Sequence, residues 1–173
     1  MARWIGIAVL AAVAYGISND QITVTLSPEY FSVFKARQFA PFLRTAGLAD
    51  APIRVQAVAV GVLATWWFGL LLGVLLSLAG ALGSRNPISN RTYCLSVLST
   101  MLFALVLSAV FGAIGYSVEP VLQPTGSKWP FLDGIHDVRR AFAVGFWHTG
   151  AYLGGFVGVI AAAVWIVWSR VRR

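Results

Sequence analysis

Two histidines and six acidic residues carry most of the reactive chemistry available to this chain of 173 residues. His148 stands inside a long apolar stretch, beside Trp147 and Thr149, with Tyr152 four residues further on. Helical residues four apart share a face. His148 and Tyr152 therefore pair on adjoining turns, and Asp137, Val144 and His148 fall in roughly the same sector. A histidine in a membrane helix suits three roles. It can bond neighbouring helices or backbone as a structural group. It can be the axial ligand of a haem or chlorophyll-type pigment, with Gly150 and Gly154 leaving room for a macrocycle. It can serve a proton or quinone site. A haem held between two helices wants a second histidine, and the other apolar segments offer none. The identity of any cofactor stays open, with His148 and Tyr152 as the binding candidates.

A second group lies in the polar segments: Asp20, Glu29, Tyr30, His136, Asp137 and Arg139. Carboxylates with imidazole suit a metal ion or general acid–base work on an exported or lipid substrate. Their spacing matches no standard metal motif. The structural alternative is that Glu29 stabilises a helix N-terminus while Asp137 pairs with Arg139, Arg140 or Lys35. The chain has no P-loop, G-x-S-x-G elbow, H-E-x-x-H or C-x-x-C-H. Cys94 is its single cysteine, which excludes an intramolecular disulfide and a thiolate cluster.

The elements that must position these groups are set by the solvent. Hydrophobic residues make up 58% of the chain and charged residues 11%, with a mean hydropathy of +0.78. A soluble domain carries roughly twice that charged share, so much of this surface faces lipid. The length suits one membrane domain over residues 1–173, with spans expected at about 4–18, 55–83, 93–118 and 141–169. About 20 helical residues cross a hydrocarbon core of ~30 Å, so the last three span easily. The first is short and also resembles a signal peptide, with Arg3 before it and Ala12-Val13-Ala14 as a small-x-small site. Tyr15-Gly16-Ile17 continues its apolar run and favours retention.

The net charge of +7 comes from basic residues flanking apolar runs, a placement that reads as topology and lipid contact rather than nucleic-acid binding. Arg3, Arg85, Arg91, Arg170, Arg172 and Arg173 lie in short segments without an acid, whereas Asp20, Glu29, Asp50, Glu119, Asp133 and Asp137 all fall in the two long loops, about 19–54 and 119–140. That pattern predicts cytoplasmic termini and periplasmic long loops. Gly150, Gly154 and Gly158 recur every four residues, and Gly69 and Gly73 repeat the spacing. Such stripes let helices approach closely, within the bundle or against another subunit.

The first long loop is the most patterned. Ile22, Val24 and Leu26 alternate with polar residues over 21–26, a strand signal that could pair at an edge with residues 117–122. Ser27-Pro28-Glu29 is a strong helix start. The helix after it places Phe31, Phe34 and Gln38 on one side, with Lys35 and Arg37 elsewhere, and is expected to lie flat at the membrane surface until Pro41 bends or ends it. In the second loop, Pro120, Pro124, Pro130, Gly126 and Gly134 predict a turn-rich path, with Asp133 capping the last helix.

The string Asn19-Asp20-Gln21-Ile22-Thr23-Val24-Thr25-Leu26-Ser27-Pro28-Glu29-Tyr30-Phe31, continued by Lys35 and Gln38-Phe39, resembles the signature of a family of uncharacterised small bacterial inner-membrane proteins. His136-Asp137-Val138-Arg139 and Ala151-Tyr152-Leu153-Gly154-Gly155 match further elements of that pattern. The resemblance covers most of the chain and implies a bacterial inner-membrane protein without supplying an activity.

The expected fold is all-α: four transmembrane helices with an irregular outer cap holding a short strand and an interfacial helix. The expected function is non-catalytic, an accessory or scaffold subunit of a bacterial inner-membrane complex that contacts lipids, other membrane subunits or a second copy of itself. The alternative is a haem-, pigment- or quinone-binding membrane protein using His148. A third reading is a membrane enzyme or metal site using the outer carboxylates and His136.

Overall fold

Inside a hydrocarbon layer every backbone N–H and C=O must be bonded within the chain, and this chain meets the requirement with helix. The computed structural model describes residues 1–82, 88–122 and 132–171, with backbone only for 119–122. Helices α1 (Ala2–Leu26), α4 (Ile53–Ala81), α5 (Asn90–Leu122) and α6 (Val138–Val171) are each long and apolar enough to cross a membrane. Between α1 and α4 lie a π-helical turn (Tyr30–Lys35) and two short helices, α2 (Ala36–Gln38) and α3 (Ala40–Thr45). The expected turns within 123–131, Lys128, Arg85, Arg172 and Arg173 lie outside the described residues.

The four long helices form two antiparallel pairs, α1 with α4 and α5 with α6, and contacts between the pairs are far sparser. The glycine stripes make the pairs. A Cβ on Gly69 would lie 2.6 Å from Val9 Cα, and one on Gly73 2.7 Å from Ile5 Cα. A Cβ on Gly154 would lie 2.7 Å from Ala104 Cα, and Gly150 presses on the Leu107 carbonyl. All five striped glycines, Gly158 included, are used inside the chain, each facing its own partner helix. Ends meet across the pairs: the Tyr93 hydroxyl donates to Trp4 O at 2.8 Å, and Arg170 Nε donates to Leu82 O at 3.0 Å. The start of α1, the end of α4, the start of α5 and the end of α6 therefore occupy one end of the bundle.

Two apolar clusters divide its length. One, at the end holding the termini, gathers Ala8, Ala12, Phe68, Leu72, Leu76, Tyr93, Val97 and Ile166. The other gathers Val24, Tyr30, Phe31, Ala57, Leu132, Ile135, Phe142 and Val144. The second closes the far end of the bundle like a stopper.

Three expectations are corrected here. No strand occurs among the described residues: 21–26 completes α1, and 117–122 completes α5. Within that helix Thr23 and Thr25 donate their hydroxyls back to Asn19 O and Gln21 O, at 3.0 and 2.9 Å. These are i−4 bonds available only in a helix. The first span consequently runs past residue 18 to Leu26, which moves Asp20 out of the loop and into a helix. In the 30–45 segment, Tyr30, Phe31 and Lys35 are buried against the bundle. Finally, α6 is capped by Asp137 rather than Asp133: Asp137 Oδ1 accepts the Arg140 N–H at 3.1 Å. The expected helix start at Ser27 does form, with the Tyr30 N–H donating to Ser27 Oγ at 3.3 Å.

Replacing Gly69 or Gly154 by valine should cost about 1–3 kcal/mol through overpacking. Gly6→Val meets open space and should change stability much less. Thermal unfolding of the purified variants in one detergent, followed by light scattering, checks the contrast.

Candidate functional site

Between the two apolar clusters lies a polar layer that no single element could build. Helix α1 supplies Asn19 and Asp20, which are 5% and 3% exposed, and Tyr15 one turn earlier. These residues extend the line of small side chains Ala8, Ala12 and Gly16, all buried. Helix α6 supplies Trp147, His148 and Tyr152. The π-helical turn supplies Tyr30 and Lys35, the latter 6% exposed.

The turn's geometry explains the lysine. An α-helix places residues three and four apart together, the basis for expecting Phe31, Phe34 and Gln38 on one face. Phe31 and Lys35 have that four-residue spacing, and the wider i→i+5 repeat of the π-helical turn adds Tyr30, five residues before Lys35, to the buried side.

Asp20, Lys35, His148, Tyr15, Tyr152 and Asn19 line one polar end of a narrow cavity between the helix pairs. Its other walls are small or apolar: Ala12, Gly16, Ala64, Phe68, Met101, Ala104, Ala151 and Gly155. Its volume of about 40 Å3 holds on the order of one or two waters. Tyr152, 41% exposed, stands at the rim toward lipid.

Some polar groups here are satisfied and some are not. Trp147 Nε1 donates to Asn19 Oδ1 at 2.7 Å, joining α6 to α1. The Tyr15 and Ser108 hydroxyls share a long bond of 3.4 Å. The His148 ring stacks on Tyr30 with centroids 5.5 Å apart and planes 19° from parallel. Its Nε2 is shut off from solvent without a partner, although the residue as a whole is half-buried, and Asp20 Oδ2 is equally unpartnered. Among the described residues Lys35 makes no contact ion pair, and its Nζ lies 5.4 Å from the centroid of the Phe39 ring. Burial lowers the Lys35 pKa from the usual lysine range, and the Asp20 carboxylate offsets only part of that. Burial raises the Tyr30 phenol, with Asp20 and then Tyr152 adding to the effect.

The outer-face candidates do not assemble into a reactive group. Glu29 Oε2 accepts the backbone N–H groups of His136 and Asp137 at 2.9 and 2.8 Å. It therefore fastens the loop at the start of α6 to the turn that carries Lys35. Asp137 pairs with Arg140 at 3.3 Å. Arg139 donates to Tyr116 O at 2.9 Å and lies 4.1 Å over the Tyr116 ring. The His136 side chain is exposed, and among the described residues no three His, Cys, Asp or Glu side chains could share a metal. Arg37 donates to Asp133 O at 2.6 Å, a second tie between the loops.

No family model, curated protein or solved structure matches this chain. Its chemistry has to be read from the site itself.

His148 and Tyr152 were legible as a pair, and both line the cavity. Asp20 and Lys35 were read as loop residues, yet they are the polar groups buried opposite His148. The signal for Asp20 was present in the four-residue spacing Ala8, Ala12, Gly16, Asp20. Lys35 stands four residues after Phe31, a spacing that puts the two on one helix face, but its charge argued for the outer side.

Glu29→Ala should cost about 1–2 kcal/mol by leaving two N–H groups without their carboxylate. Glu29→Gln, which keeps one acceptor oxygen, should cost less. Thermal midpoints in detergent, with trypsin cleavage near Arg37 as a local probe, check the order.

Proposed function

We propose that this chain is a membrane-embedded binding protein for a small uncharged amphiphile, with its site at the polar end of the cavity between the helix pairs. One observation carries the reading: Asp20 Oδ2 and His148 Nε2 are both buried without partners, in residues that line the same cavity. Burying an unsatisfied polar atom costs about 1–3 kcal/mol, and ionisable groups within a membrane bundle mark functional positions. A guest with a hydroxyl or carbonyl head satisfies them. One acid and one base line the polar end, so a neutral head suits it better than an ion. The apolar wall from Ala12 to Gly155 takes the body, and sparse contact between the pairs lets the slot widen around it.

Quinones and quinols belong to this chemical class. A haem or chlorophyll-type pigment fits less well. A haem held between helices wants a second histidine, and the described helices offer none. The accessory-subunit reading loses its main support, since Gly69, Gly73, Gly150, Gly154 and Gly158 are occupied within the chain. The basic residues at the helix ends and the resemblance of residues 19–39 support a bacterial inner membrane with cytoplasmic termini.

The test is purification of the full chain in mild detergent, with a visible spectrum, a lipid-extract mass spectrum and a fluorescence titration with a short-tailed quinol. The expected result is saturable binding that His148→Ala and Asp20→Asn each weaken about 10–100-fold, as loss of ~1–3 kcal/mol requires. A colour lost with His148→Ala would overturn the reading in favour of a pigment. Stoichiometric partner subunits without a bound amphiphile would overturn it in favour of an accessory role.

A further inference from the structure

Resting on that reading, we propose that Lys35 is a covalent anchor in the slot, an amine that condenses with the carbonyl of an apolar aldehyde or ketone guest to form an imine. Lys35 is 6% exposed and lines the cavity at its polar end. A buried ammonium ordinarily sits against a carboxylate, and among the described residues Lys35 has no such contact; Asp20 shares the cavity without reaching it as an ion pair. A lysine desolvated in an apolar pocket is the form used for imine chemistry, because the free amine is the nucleophile. Lys35 ends a π-helical turn, and such turns recur at functional sites.

The groups facing Lys35 are suited to the remaining proton transfers. Asp20 comes from α1, His148 and Tyr152 from α6, and Tyr30 from its own turn, while α4 and α5 add no ionisable side chain to the cavity. The amine nitrogen attacks the carbonyl carbon, and the C=O π pair moves to oxygen. A proton passes from nitrogen to that oxygen. The C–O bond then breaks with a further proton delivered to oxygen, water leaves, and the nitrogen lone pair forms C=N. Nothing is oxidised or reduced, and the by-product is water. Asp20 and His148 line the same space and can each carry a proton between nitrogen and oxygen.

The sequence holds two lysines, Lys35 and Lys128, so the position of labelling is unambiguous. Full-length protein in detergent is incubated at neutral pH with tetradecanal and cyanoborohydride, then digested and mapped by mass spectrometry. The expected result is a reduced adduct on Lys35, absent from Lys35→Arg and competed by tetradecanol, which fills the slot without forming an imine. Unfolding the wild-type chain in dodecyl sulfate at the same pH should lower the Lys35 yield about tenfold or more, because a lysine returned to solvent is protonated at that pH. This control stands even if Lys35→Arg fails to fold. Tetradecanol binding without a Lys35 adduct overturns the inference and leaves the binding reading intact. Binding of neither compound overturns both, and equal labelling of Lys35 before and after unfolding shows an ordinary surface-like amine and also overturns it.

Discussion

Helices in lipid gain nothing from hiding apolar side chains from one another, so their association depends on how closely backbones approach. In this chain that approach is concentrated in two antiparallel contacts, Gly69 and Gly73 against α1 and Gly150, Gly154 and Gly158 against α5. Because the glycines are spent within the pairs, the line between the pairs is left to side chains of mixed size. Ala12, Gly16, Ala64 and Phe68 on one side meet Met101, Ala104, Ala151 and Gly155 on the other. A cavity along that line follows from the way the packing is distributed.

The outer cap then gives this cavity its character. Residues 19–39 form a single physical unit. Asn19 takes the Trp147 indole, Thr23 and Thr25 bond back within the helix, and Ser27 starts the next turn. Glu29 grips the entry to α6, and Tyr30 and Phe31 seal the bundle above His148. Each polar residue has a place in one construction that ends with Lys35 inside. The aromatic residues that looked suited to a membrane surface are largely a lid on a polar chamber.

Much of this was legible from residue order and some was not. Four charge-free runs fixed the helices, since a hydrocarbon layer leaves a long apolar segment few alternatives. The i, i+4 pairing of His148 with Tyr152 survived because it is local. Residues 21–26 misled, because alternation and β-branching describe a strand in water, whereas here tertiary contacts of Asn19 and Asp20 hold the helix through them. Lys35 misled for a different reason. Its spacing from Phe31 fits the buried face of a helix, but a lysine in a polar stretch reads as solvent-facing. Asp20 was misplaced because a charge was taken as the end of a span, while a charge aimed into a bundle can lie within one.

The pairing of the helices also has a temporal side. Partners α1 and α4 are neighbours among the membrane spans in chain order, as are α5 and α6. Synthesis proceeds from the N-terminus, so the first hairpin, with Asp20 and Lys35 already in it, is complete before the second leaves the ribosome. Until then those two polar side chains lack their cover from α6 and face the insertion machinery or lipid. Arrival of the hairpin carrying His148 closes them in, making the site the last part of the molecule to come into existence and a natural checkpoint for its biogenesis.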